Sequence, residues 1–253
     1  MNPYDGTAAT VVPQNIEKLP LFHWRPGARL LAVGSRDGAD FAGDLHTDRT
    51  TFRRAVAHDL LVEAQAKQRL DGIVATWSES LAHPLGMATL RAARRGALVV
   101  ATPGTSSGTG SDNGALLADL LPEVDAWLLL CTATPGPLAE RIIAGGRHVE
   151  VLLGLAEGAA VPELPWDRVS AVHLCATRPA EADNLDAWCV TARAALAAVV
   201  PATVRIYDPH HPHTDCSGCG ERLVWRHSGR SRIDGITAGA CARCGAPSPL
   251  VLA

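Results

Sequence analysis

Apolar residues fall along this chain in short, nearly unbroken runs that alternate with stretches of helical period. Runs at 28–34, 72–76, 97–102, 126–131, 148–153, 169–175 and 203–207 are of strand length and apolar on both faces, with Gly, Pro or polar residues at many of their ends. Such runs predict strands buried on both sides, the pattern of a parallel sheet. Between them apolar positions recur every three to four residues. This predicts helices over 49–70, where Phe52, Val56, Leu60, Leu61 and Ala64 carry the period, and over 84–95, opened by Pro84. Further helices are expected near 113–121, over 136–145 with Gly at the end, and over 184–200. Strands alternating with helices pack as a parallel sheet covered on its outer side or on both faces. A curled, partial β/α barrel and an open doubly wound sheet both satisfy this order, and in either one sites collect at the C-terminal ends of strands. Residues 1–27, punctuated by Pro and Gly, read as an irregular lead-in.

Composition narrows the function classes. The 253 residues suffice for one large domain with an appendage. A net charge of -3 with no basic block gives no expectation of a nucleic-acid partner. Apolar stretches reach about seven residues, too short to span a bilayer, so no membrane partner is expected. Residues 1–14 lack the basic segment and apolar run of a signal peptide, which points to a cytoplasmic protein. Seven cysteines in a reducing compartment bind metal more often than they pair as disulfides.

Four of those cysteines form two matched turns, Cys216-Ser-Gly-Cys219-Gly and Cys241-Ala-Arg-Cys244-Gly. Each turn aims two thiolates at one point, and Gly220 and Gly245 supply the positive φ that such a turn needs. The 21 residues between the pairs (220–240) are enough for a hairpin. Four thiolates close a tetrahedral shell, so the expected ion is a structural Zn2+ with no position open to water. So small a segment cannot stabilise itself by burial, and the metal supplies the missing folding energy. Disulfides, or iron in the same positions, are the alternatives.

The stretch Asn15-Ile-Glu-Lys-Leu-Pro-Leu-Phe-His-Trp-Arg-Pro-Gly-Ala-Arg-Leu-Leu-Ala-Val-Gly34 is similar to the opening of the radical S-adenosylmethionine (SAM) domain in the AmmeMemoRadiSam-system radical SAM proteins. That family reads roughly I-E-K-K-P-L-x-H-F-x-P-G-S-x-x-x-S-x-G there. The resemblance continues in Gly72-Ile-Val-Ala-Thr-Trp-Ser-Glu-Ser80, against G-I-A-x-T-Y-N-E-P, in Leu120-Leu-Pro-Glu-Val-Asp125, against L-L-P-Y-I-D, and in the C-terminal zinc ribbon. It implies a partial parallel β/α barrel of radical SAM type over 15–207, after a lead-in of residues 1–14. A linker and zinc ribbon over 208–253 would follow. The family's barrel holds a [4Fe–4S] cluster on C-x-x-x-C-x-x-C, and the matching positions here are Gly38, Ala42 and Leu45. None of these offers the thiolate that a cluster needs, so no [4Fe–4S] cluster is expected. The resemblance thus implies the fold and argues against radical chemistry. A scaffold or accessory role beside a protein partner is the leading expectation. The alternative is an enzyme that keeps SAM or another nucleotide-like molecule at the barrel mouth. A cluster held by relocated thiolates such as Cys131, Cys175 and Cys189 is a third reading.

For the alternative enzyme, Glu79 matches the position that helps hold the SAM amino group, and His173 faces either the mouth or the interior according to strand register. Asp37, Asp40 and His46 in the emptied cluster loop are further candidates. The Gly/Ser-rich stretch 104–114 offers backbone N–H groups to an anion but lacks the Lys of a phosphate-binding loop. Asp208-Pro-His210-His211-Pro-His213-Thr-Asp215 is dense in metal-binding side chains, yet its prolines suit an exposed tether.

Overall fold

The computed structural model describes residues 7, 8, 10–34, 54, 55, 58–76, 84–104, 119–131, 135–155, 158–176 and 184–252. The elements run β1 (Thr7–Ala8), β2 (Thr10–Asn15), β3 (Arg29–Gly34), β4 (Arg54–Ala55), α1 (His58–Gln68), β5 (Gly72–Thr76), α2 (Pro84–Ala93), β6 (Ala97–Pro103) and β7 (Ala126–Cys131). They continue with α3 (Pro137–Gly145), β8 (Val149–Gly154), β9 (Ala171–Cys175), α4 (Leu185–Ala197) and β10 (Arg205–Tyr207). The last stretch is β11 (Thr214–Asp215), β12 (Arg222–His227), β13 (Arg230–Ile233), β14 (Ile236–Thr237) and β15 (Ala240–Cys241).

Eight strands form the central sheet in the order β10-β9-β8-β7-β6-β5-β3-β2. From β3 to β10 every pairing is parallel and every strand lies beside its predecessor. A chain that always adds its next strand on the same side, through right-handed crossovers, places all its helices on one face. The packing follows that rule. Leu61, Leu90, Ile142, Ile143, Trp188 and Leu196 of the helices join Val33, Ile73, Val100, Leu129, Val151 and Val172 in one core. The opposite strand parity, including Leu30, Ala32, Val74, Val99, Leu128 and Leu152, forms a second core to which no α-helix among the described residues contributes. This one-sided winding is a partial β/α barrel, which decides between the two architectures left open by periodicity, with a separate small β module at its C-terminal end.

The inner core is completed by a segment that the sequence pattern places in an irregular lead-in. Thr10–Asn15 forms β2, antiparallel to β3 over all six residues. Pro13 obscures this strand in the sequence, but at the sheet edge its missing N–H costs nothing. Residues 16–28 then hook across the barrel and bury Ile16, Leu19, Leu21 and Trp24 against the inner face. One expected helix is also shorter than its pattern. Helix α1 starts only at His58, while Arg54 and Ala55 pair with Ala8 and Thr7. Most of the helix expected near 113–121 lies outside the described residues.

Candidate metal centre

The C-terminal module consists of the three-stranded sheet β11-β12-β13 and the two-stranded β14-β15. Its two cysteine turns have the same construction. The Gly220 amide donates to the Cys216 carbonyl at 3.0 Å, and the Gly245 amide to the Cys241 carbonyl at 2.8 Å. The two glycines take φ of 72° and 74°. The turns face each other so that the four sulfurs lie within 4.8 Å of one another. Across the turns, Cys216 Sγ is 3.5 Å from Cys244 Sγ, and Cys219 Sγ is 3.7 Å from Cys241 Sγ. A tetrahedron of sulfurs around zinc, with Zn–S near 2.3 Å, has edges of about 3.8 Å, whereas a disulfide requires about 2.05 Å. Cys216, Cys219, Cys241 and Cys244 form no disulfide, and the spacing here is that of a shared ion.

Local electrostatics favour the same conclusion. Backbone N–H groups at Cys219 and Gly218 help to draw the Cys216 thiol down to about 6. The Glu221 amide works in the same direction on Cys219, but burial and the three neighbouring sulfurs outweigh it and push that thiol up to about 12. Cys216 is therefore set to ionise readily, whereas Cys219 holds its proton until a cation shares the charge. The module's own core is Leu223, Val224, Cys216 and Cys241, with Ile236, Ala246 and Leu250 partly buried around it. So few side chains cannot hold a fold by burial alone. The four-cysteine group could hold a metal ion, and its chemistry fits a four-coordinate soft cation.

The module is built into the barrel through the hook. Val251 donates to the His23 carbonyl at 2.7 Å, and Arg25 to the Val251 carbonyl at 2.8 Å. Arg226 of β12 reaches further, bonding the carbonyls of Phe22 and Pro212 and the Thr214 hydroxyl with its guanidinium 4.3 Å over the Phe22 ring. It is 5% exposed, and no carboxylate among the described residues lies within 4 Å of it. Burial lowers its pKa, opposed by the more distant Tyr207, Glu150 and Glu17.

Beneath Arg226 lies the one large polar cluster of the barrel interior among the described residues, centred on a fully buried carboxylate. Glu150 Oε2 accepts from the Phe22 amide at 2.8 Å and from His173 Nε2 at 2.6 Å. Its Oε1 accepts from the His23 amide at 2.9 Å and from His148 Nε2 at 2.8 Å. Burial alone would raise the Glu150 pKa, but the two imidazoles hold it well below the usual carboxylate range. Burial lowers the pKa of His173, and that of His23 to about 4, so both rings are neutral at pH 7. A donor chain is consistent with those states. Arg226 donates to Thr214 Oγ1 (2.8 Å), Thr214 to the Tyr207 phenol oxygen (2.8 Å), and Tyr207 to His23 Nε2 (2.6 Å). Ribbon, barrel and hook are thus joined by one network.

The network also places His173. Its ring lies inside the barrel, 3% exposed, stacked on Tyr207 at 5.2 Å and edge-on to Phe22 at 4.6 Å. Its Nδ1 has no hydrogen-bond partner among the described residues. Cys131 sits on the helix side of the sheet, where burial pushes its thiol up to about 12, and Cys175 lies on the inner side. Cys189 belongs to α4 and packs with the outer core. The linker histidines do not converge: His210 pairs with Asp186 at 2.9 Å and His211 with Asp208 at 2.9 Å. Glu79, Asp37, Asp40, His46 and most of the Gly/Ser-rich stretch lie outside the described residues, as do Gly38, Ala42 and Leu45.

Pattern reading passed over Glu150, His148 and His23. A signal for the carboxylate was present. Glu150 and His173 are the polar residues inside the apolar runs Val149–Gly154 and Ala171–Cys175, and strand alternation puts both on the inner face. No helix among the described residues is long and apolar enough to cross a membrane. No protein-family model, curated protein or solved structure matches this chain.

Proposed function

We propose that this protein is a cluster-free relative of the AmmeMemoRadiSam radical SAM proteins, a cytoplasmic scaffold whose ribbon holds one structural zinc and helps dock a protein partner. In this reading residues 15–207 are the barrel and 208–253 the linker and ribbon. The observation that carries it is the convergence of Cys216, Cys219, Cys241 and Cys244 within 4.8 Å at tetrahedral spacing. Zinc on four thiolates supplies folding energy and leaves no position for water or substrate. A scaffold role draws support from the barrel's inner face, which is apolar from β3 to β7 and packed by the hook rather than lined for a ligand. The residues at the three cluster positions, Gly38, Ala42 and Leu45, cannot ligate iron.

The competing reading holds SAM, or a nucleotide-like molecule, at the barrel mouth through Glu79 and His173. The burial of His173 under Phe22 counts against it. Metal and sulfide analysis of untagged protein purified without oxygen separates the readings. About one zinc per chain with no iron or sulfide is the expected result. Several irons with matching sulfide would sink the proposal. Saturable SAM binding that Glu79→Ala abolishes would replace the scaffold with the repurposed enzyme.

A further inference from the structure

The chain carries a net charge of -3, yet residues 222–233 contain Arg222, Arg226, Arg230 and Arg232 with His227 and no acidic residue. These twelve residues are the β12–β13 hairpin, and its register sorts them between two faces. Trp225 lies opposite Arg232, and His227 opposite Arg230; Arg226 lies opposite Ser231 on the other side. Arg226 points into the barrel, as described above. Trp225, His227, Arg230 and Arg232 are exposed on the outer face. With His213, Arg226 and Ser231 they border an open groove of about 560 Å³.

The groove combines two kinds of recognition. Arg230 and Arg232 place cationic forks along it, and the residues lining it include no carboxylate. Arg230 has no ion-pair partner among the described residues, while Arg232 pairs with Asp234. Trp225 is 44% exposed, which is unusual for so large an apolar ring. Arg222 covers part of the ring at 4.6 Å and is itself held by Asp215 at 2.9 Å, but it does not line the groove. A flat aromatic surface beside arginines, with room for about one nucleotide, matches the elements that hold an unpaired nucleic-acid strand. Bases stack on the ring and phosphates meet the guanidinium groups. A partner recognised by charge alone would not account for an exposed Trp at the centre of the cationic face.

We propose that the outer face of the β12–β13 hairpin binds single-stranded nucleic acid, with Trp225 as the stacking surface and Arg230 and Arg232 as phosphate contacts. This site is separate from the four-cysteine group and does not rest on the scaffold reading.

The test uses the full-length, zinc-loaded protein and a fluorescently labelled oligothymidylate, followed by anisotropy across a salt series. Binding is expected to weaken with salt, log K falling linearly with log salt. The Arg230→Ala/Arg232→Ala variant is expected to lose at least about tenfold in affinity and to flatten the salt slope by about 1–2. Trp225→Ala is expected to lose about tenfold with the slope unchanged. Zinc content and melting temperature, measured on each variant, should match the parent because these side chains are exposed. Three results would overturn the proposal: no binding at low salt, equal binding by Trp225→Ala, or equal competition by polyglutamate. The last would reassign the face to an acidic protein.

Discussion

The four-cysteine group and the Glu150 network both gather ionisable side chains, and the chain treats the two in opposite ways. In the ribbon, four sulfurs converge with no protein donor between them beyond backbone N–H groups at the turns. In the barrel, one carboxylate is enclosed by four N–H donors drawn from the hook, from β9 and from His148 just before β8. The ribbon's cluster is arranged so that a cation could join its four sulfurs, whereas Glu150 is satisfied by the protein itself. This difference follows from core size. The barrel buries dozens of apolar side chains and can carry the desolvation of one ionised group. The ribbon's small core is far less able to do so, and a metal on its four sulfurs would supply the difference.

The largest effect that would break this comparison is loss of a sulfur. Cys241→Ser should abolish stoichiometric zinc binding and unfold the ribbon, since structural zinc contributes on the order of 10 kcal/mol or more to such modules. Limited proteolysis should then cut within 208–252, while circular dichroism retains the helix and strand content of the barrel. A Cys241→Ser protein with a protease-resistant ribbon would show that the metal is dispensable.

Glu150→Ala comes next. It leaves two backbone amides and two imidazoles facing a void, and it should cost roughly 3–5 kcal/mol. The denaturant midpoint measures this, and zinc stoichiometry should stay at the parent value. A loss under about 1 kcal/mol would mean that the four donors find other partners and that the carboxylate is not the centre of the network.

These two clusters also differ in how far they could be read from the sequence. The four-cysteine group was legible because each turn is local and its chemistry is written in four residues and two glycines. The strand at Ala126–Cys131 was equally plain, since all six of its residues are buried and apolar. The Glu150 network was not legible as a unit, because His23 is 127 residues away from Glu150 and Tyr207 arrives through strand order. Only the anomaly of a charged residue within an apolar strand pointed there. The hook was missed for a related reason. Its apolar residues have neither period and acquire meaning only against the inner face that they fill.

Acid separates the network from a simple apolar core by a smaller amount. His23 has its pKa depressed to about 4, against about 6.5 when unfolded. Between those values the unfolded chain binds more protons, so stability is fully present above pH 6.5 and falls as pH drops towards 4. The contribution lost is about 3 kcal/mol. His173 is shifted in the same direction, and Glu150, also depressed, adds its own loss below its unfolded value near 4.5. Protonated His23 can no longer accept from Tyr207, which breaks the chain to Thr214 and Arg226. Denaturation midpoints from about pH 7.5 to about 4.5 should fall less steeply in His23→Gln than in the parent. Zinc release in acid is common to both proteins and cancels in the comparison. Parallel slopes would remove His23 from the account.

The smallest effect tests whether the ribbon's turns depend on backbone conformation once zinc is bound. At Gly220, φ is 72° and an added Cβ would meet nothing within 4 Å. Gly220→Ala therefore introduces no clash, and its cost is purely that of a left-handed backbone, about 1–2 kcal/mol. That amount corresponds to roughly five- to thirty-fold weaker zinc binding in chelator competition. Gly245, at 74° and equally open, should give the same number. Asn at either position should cost less, because its side chain tolerates this region. Alanine at Gly220 with unchanged zinc affinity would show that the metal alone imposes the turn. A graded response of Gly, Asn and Ala would show that the turn is set before the metal arrives.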